Sequence, residues 1–229
     1  MRLADWIDHM PGYQLRASLS FCIVDGRPVF LDIAKDRYFL LSDEMEPAFL
    51  ALLGGQQGPA ATEALIAHGI LVNSGHGSPC PVRAEPASSS VLETPSGKRH
   101  GCLLLFIEVA FTLHQARRRL ARFGLEPALA WALARSGDRA GPRDLALRLD
   151  AAHWASAFLA VRKYVTTPTR CLLDSLAMMR FLGRRGLRPD LVFGITGEPF
   201  TAHCWLQAGP LILNDSVGNT RAYTPIKVA

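Results

Sequence analysis

A chain of 229 residues with 49% hydrophobic and 20% charged residues can bury about 70% of its unfolded surface without disulfides or a structural metal; a disordered composition is excluded. The most apolar run, Cys102 to Leu113, contains Glu108 and is shorter than the about 20 residues of a membrane span. Net charge is +5, yet residues 1–80 hold 5 basic and 9 acidic groups while residues 81–229 hold 20 and 11, a division that points to two modules. The N-terminus, Met1 to Trp6, lacks a secretory core and cleavage site, which places the chain in the cytoplasm. The five cysteines form no CxxC pair, as expected of free thiols in a reducing compartment.

In chain order, Leu19 to Val24, Arg27 to Ile33 after an Asp25-Gly26 turn, and Arg37 to Leu41 read as a three-stranded meander. Ser42-Asp43 offers a cap for a helix that runs to Leu53 with Pro47 in its first turn. Ala61 to His68 reads as a second helix stopped by Gly69. Together these form a small α+β module over 1–75 with an exposed sheet edge. A Gly, Pro and Ser-rich stretch without periodicity follows, read as a linker over 76–100.

The second module, 101–229, begins with helices over Cys102 to Arg122, Pro127 to Arg135 and Leu145 to Tyr164. Thr167-Pro168 breaks the chain. Thr169 can cap a helix from Arg170 to Arg185, where Arg184 and Arg185 suit the negative dipole end before Gly186. Leu191 to Thr196, Ala202 to Gln207 and Leu211 to Asp215 read as strands of an antiparallel sheet.

Cys171 falls in the first turn of the Arg170 helix, where unpaired N–H groups and the dipole favour thiolate. Packing is the competing reading, because cysteine is among the most buried residue types. A three-residue loop Ala208-Gly209-Pro210 makes His203 and Asp215 direct cross-strand neighbours. A carboxylate there can hold one imidazole nitrogen and leave the other as a base. A satisfied core histidine and a strand-end aspartate remain the alternatives. Cys204 points to the opposite face by alternation and is assigned to the core. Metal ligation by Cys171, His203 and Asp215 lacks a fourth ligand, so no metal or other cofactor is expected.

The order helix-start Cys, strand His, strand Asp is that of papain-like and transglutaminase-like acyl-transfer enzymes. More specifically, Pro168-Thr169-Arg170-Cys171-Leu172-Leu173, Phe193-Gly194-Ile195, Ala202-His203-Cys204-Trp205-Leu206 and Leu213-Asn214-Asp215 resemble the lasso peptide B proteins, transglutaminase-like leader peptidases. The first 80 residues resemble the PqqD-like RiPP recognition element, a winged-helix-type module, with Arg37-Tyr38-Phe39-Leu40-Leu41-Ser42 where that family's third strand meets its helix.

The resemblance implies a cysteine protease that removes the leader of a ribosomally made precursor. It makes Cys171 the nucleophile, His203 the general base and then acid, and Asp215 the orienting carboxylate. The implied partners are the precursor's leader and an ATP-dependent, asparagine synthetase-like cyclase that joins the freed amine to an Asp or Glu side chain. Neither nucleic acid nor membrane is an expected partner, since the acidic first module argues against phosphate contact. Leader binding is expected at Arg37, Tyr38, Phe39, Leu40 and Leu41, beside Leu65 and Ile66, by strand addition to the sheet edge. In the competing reading, the segment from Trp6 to Leu15 covers that edge. A transglutaminase-type acyl transferase and a non-catalytic peptide-binding scaffold are the alternatives for the whole.

Overall fold

A computed structural model describes residues 12–56, 58–74, 77–93, 103–134 and 145–229. They fall into two compact units that divide after Val82. In the first, β1 (Tyr13–Leu15) precedes the meander β2 (Leu19–Val24), β3 (Arg27–Asp32) and β4 (Arg37–Leu40). Asp25 and Gly26 both adopt positive φ, 52° and 80°, as a two-residue hairpin with primed-turn geometry requires. That turn fixes the register from Val24↔Arg27 to Leu19↔Asp32.

Alternation then sends Phe21 and Phe30 to one face of the sheet, where α1 (Met45–Leu53) and α2 (Pro59–Ala67) cover them with Phe49, Leu52 and Leu65. Phe49 stands edge-on to Phe21 and Phe30, each at 5.0 Å. Full burial of each such ring contributes about 2–3 kcal/mol.

Several local expectations change. Ser42 does not cap α1 by its side chain; its carbonyl accepts from the Met45 and Glu46 N–H groups, both at 2.9 Å. The second helix starts at Pro59, before Ala61, because a proline's missing N–H costs nothing in the first turn. β1 pairs with β5 (Leu71–Asn73), Leu15 opposite Leu71. Residues 13–15 are thus committed away from β4, while Trp6 to Pro11 lie outside the described residues. Among the described residues β4 pairs with β3 alone.

In the second unit, β6 (Ser89–Ser90) precedes α3 (Leu103–Phe123), α4 (Leu125–Leu133), α5 (Leu145–Arg162) and α6 (Cys171–Gly183). Then come β7 (Asp190–Ile195), β8 (Ala202–Ala208), β9 (Leu211–Ile212), α7 (Val217–Thr220) and β10 (Thr224–Val228). The strands form one sheet in the order β10-β7-β8-β9-β6. Helix α6 is its hub: Leu176, Ala177, Met178 and Phe181 are fully buried, in contact with α3, α4, α5 and β8. No helix among the described residues is long and apolar enough to cross a membrane.

The stretch expected to link the modules over 76–100 is tied down over most of its described part. The Gly77 carbonyl accepts from Tyr13 and the Val82 N–H donates to Phe21, in the first unit. Beyond Arg83, Ser89–Ser90 adds a parallel strand to β9, and Ala84 and Ala87 pack against Val192, Trp205, Ile212 and Val217. Aperiodic composition signals the absence of helix or alternating strand, but an extended chain can still satisfy its backbone groups on a sheet edge. The second unit therefore begins at Arg83, upstream of the expected residue 101.

Candidate active site

Pro168 and an extended Arg170 (φ −142°, ψ 129°) delay helical geometry until Cys171. Neither Thr169 nor Arg170 supplies a side-chain cap. Cys171 is the first helical residue, not the second after a threonine cap, and its N–H lies among those without an intrahelical acceptor. The side chain is exposed.

Behind it, the segment before α6 is braced by one buried cation. The Arg162 guanidinium donates to Asp174 Oδ1 at 2.7 Å and to the carbonyls of Val165 and Thr167 at 3.1 and 2.9 Å. Burial pushes the Asp174 carboxyl upward, against the opposing pull of Arg162. At the other end of α6, Arg185 is held by Glu108 at 2.7 Å and Arg184 lies 3.6 Å from the same carboxylate. These two arginines, expected to serve the helix dipole, chiefly clamp α6 to α3.

His203 sits half-buried near the start of β8, paired with Gly194 of β7. The expected register between β8 and β9 is off by one. Gln207 pairs with Ile212 and Ala208 with Leu211, leaving the two-residue loop Gly209-Pro210 with Gly209 at φ 59°. The last backbone bond between the two strands runs from the Leu213 N–H to the Leu206 carbonyl at 2.9 Å, and Asp215 reaches His203 from the bend that follows. Its Oδ2 is hydrogen-bonded to His203 Nε2. The same oxygen accepts from Asn219 Nδ2 at 2.9 Å, and Oδ1 accepts from the Ser216 N–H at 2.7 Å. Ser90 Oγ donates to the Asp215 carbonyl, so β6 helps hold the bend. Burial raises the Asp215 carboxyl, but the bonds from His203, Asn219 and Ser216 outweigh it and keep it below the ordinary carboxylate value.

Nε2 is engaged by Asp215, and Cys171 lies close enough to His203 to act on its titration. Asp215 first and Cys171 second raise the imidazole pKa to about 9. The Cys171 thiol is lowered to about 4 by hydrogen bonds from the Cys204 thiol, then from His203, with the Cys204 N–H adding to them. Both shifts favour the same charge arrangement, thiolate beside imidazolium, which suits a sulfur nucleophile with a proton donor at hand.

Cys204 is buried, as alternation predicts. The face it occupies is the one covered by α6, so its thiol lies 4.0 Å from Ser175 Oγ and within hydrogen-bonding reach of Cys171. The hydrogen bond to Cys171, followed by burial, raises its own pKa well above the ordinary thiol value. Ser175 is fixed in turn by Asn214 Nδ2 at 2.8 Å, while Asn214 Oδ1 accepts from the Leu206 N–H at 2.8 Å. Asn214 and Asn219 are thus residues beside the site that sequence reasoning passed over, and Cys204, assigned to the core, borders the site as well. Tyr223 packs on the His203 ring at 5.1 Å. Gly194 leaves room for that packing, since a Cβ there would lie 2.8 Å from Tyr223 Cβ.

The residues expected to bind a leader divide. Leu41 and Leu65 lie in the core of the first unit, 5% and 0% exposed; the strand's inward alternation and the α2 face consume them, so they offer no ligand contact. Phe39 stacks on Phe30 at 5.3 Å with Arg37 over its outer side. Tyr38 and Ile66 are half-buried, and Leu40 is 47% exposed.

Comparison with known proteins agrees with the second unit. A stretch of 46 residues, 20% of this chain and 22% of the relative, is 37% identical to the microcin J25-processing protein McjB of Escherichia coli. The match thus spans about a fifth of that relative's length. No solved structure matches. Residues 109–228, more than half of the chain, match the transglutaminase-like superfamily and include Cys171, His203 and Asp215; the chain belongs to the transglutaminase-like superfamily.

Proposed function

We propose that the chain is a cysteine peptidase that binds a ribosomally made lasso peptide precursor and removes its leader. The observation that carries this is the exposed Cys171 thiol at a helix start beside His203, whose Nε2 is held by Asp215. Cys171 Sγ attacks the scissile carbonyl, and the His203 imidazolium gives its proton to the departing amine. His203 then takes a proton from water, whose oxygen displaces sulfur from the thioester and regenerates the thiolate. Asp215 stays ionised and orients the ring. The amine released is the nucleophile that a partner cyclase of the asparagine synthetase-like class would join to a core carboxylate. The partial likeness to a microcin J25-processing protein supports this place in biosynthesis.

The test is incubation of the purified chain with a synthetic lasso peptide precursor, leader and core joined, followed by mass spectrometry. Two fragments whose masses sum to precursor plus one water are expected from the native chain and none from Cys171→Ala. A product joined to an added amine would assign an acyl transferase instead, and turnover by Cys171→Ala would remove the nucleophile from the reaction.

A further inference from the structure

A cleft of about 310 Å³ opens beside the nucleophile helix, lined by Arg117, Leu120 and Ala121 of α3, by Thr167, Pro168 and Arg170, and by Leu173 of α6. Its volume is that of a small-molecule or side-chain site. Arg170 immediately precedes Cys171, so the cleft borders the start of the helix that carries the nucleophile. The walls are apolar: Leu120, Ala121, Pro168 and a buried Leu173. No carboxylate lines it.

The nearby cations differ in their commitments. Arg162 is spent on Asp174 and two carbonyls, and Arg184 and Arg185 face Glu108. Arg119 lies over the Trp131 ring and Arg122 over Phe123. Arg117 and Arg170 have no ion pair among the described residues, and both line the cleft. A guanidinium presents a planar fork of donors that suits a carboxylate. The Thr167 side of the cleft is also rigid, because Arg162 holds that backbone from behind, which lowers the ordering cost of binding.

We propose that this cleft is a substrate subsite that takes an acidic side chain, aspartate or glutamate, of a peptide bound across Cys171. The aliphatic stem lies against Leu120, Ala121, Pro168 and Leu173, and the carboxylate meets Arg117 and Arg170. This deepens the peptidase reading and rests on it for the identity of the occupant as part of a substrate.

The test uses the full chain carrying Cys171→Ala, titrated with the capped tripeptides acetyl-Ala-Glu-Ala-amide and acetyl-Ala-Gln-Ala-amide while backbone amide shifts are recorded. The glutamyl peptide is expected to shift residues 117–121 and 167–173 and to bind about tenfold more tightly than its amide twin, the loss expected for one charge-assisted hydrogen-bonded contact. The double variant Arg117→Gln, Arg170→Gln is expected to abolish that preference. Ala121→Trp, which fills the cleft and leaves both guanidiniums, is expected to weaken both peptides. Equal affinities in the parent, shifts centred elsewhere, or peptide affinities that Ala121→Trp leaves unchanged would each overturn the subsite. Alkylation of the native chain by iodoacetamide separates this from the wider reading. An inert Cys171 with glutamyl preference intact removes the peptidase and keeps the anion site; a reactive Cys171 without the preference does the reverse.

Discussion

At the scale of single residues, the thiolate of Cys171 depends on donors of two kinds, a charged imidazole and a neutral buried thiol. The two make different predictions for two reactions at the same sulfur. Alkylation by iodoacetamide needs only thiolate, so its rate should rise as pH climbs through about 4. Peptide cleavage needs the His203 proton as well, so it should fall again as pH passes about 9. The expected result is a bell for cleavage and a single rise for alkylation, measured on one preparation. In Cys204→Ala the largest support of the thiolate is gone while His203, Asp215 and the backbone N–H at 204 remain. The alkylation limb should then move up by about one pH unit, the equivalent of ~1.4 kcal/mol. An unmoved limb would reduce Cys204 to packing.

At the scale of elements, the site is assembled by one helix start, one strand and one bend, and each has a residue that fixes its approach. Arg162 fixes the helix start. Its removal in Arg162→Ala leaves the largely buried Asp174 carboxylate without its partner, with side-chain exposures of only 9% and 15% in the native pair. Loss of about 3–5 kcal/mol of stability is expected, read by denaturant unfolding. Gly194 fixes the strand side. An alanine Cβ would lie 2.8 Å from Tyr223 Cβ and 3.0 Å from Trp205 Cζ3, so both rings beside His203 must shift. Gly194→Ala should cost about 1–3 kcal/mol and reduce cleavage by more than its unfolding curve explains.

These elements were unequally legible in the sequence. The Asp25-Gly26 hairpin could be read because that dipeptide tolerates two successive positive φ angles, which fixes loop length and register together. Ala208-Gly209-Pro210 gave no such fix, since Gly209 serves a two-residue or a three-residue loop. The shorter loop formed, yet Asp215 still meets His203, because the chain leaves the ladder after Leu213 and bends. Alternation placed Cys204 on the face opposite His203 but could not say that the start of α6 lies over that face. Asn219 gave no signal at all: it stands on a four-residue helix whose only mark is the Ser216 side-chain cap. Local chemistry fixes turns and faces; which residues meet across them depends on how the layers stack.

At the scale of the whole molecule, the proposal places chemistry in the second unit and the sequence expectation places leader recognition in the first, so the two should be separable by measurement. Among the described residues β4 pairs with β3 alone, and the outer side of an edge strand is where an extended peptide can bind by strand addition. Backbone pairing carries little sequence information, so selectivity must come from side chains at that edge, and only some are available. Leu40 is the most exposed apolar one, and Arg37 is exposed beside it, whereas Leu41 and Leu65 belong to the core. Leu40→Asp should therefore act on recognition: KM for the precursor rises about tenfold and the loss falls on KM rather than kcat, the pattern of an interaction made equally in the ground and transition states. Leu65→Asp should instead unfold the first unit, because it places an unpaired charge among Phe21, Phe30 and Phe49. Cys171→Ala should bind a synthetic leader as tightly as the native chain while cleaving nothing, with amide shifts gathered on residues 37–40 and on Ile66. Binding that is indifferent to Leu40→Asp, or shifts confined to residues 83–229, would move leader recognition away from β4.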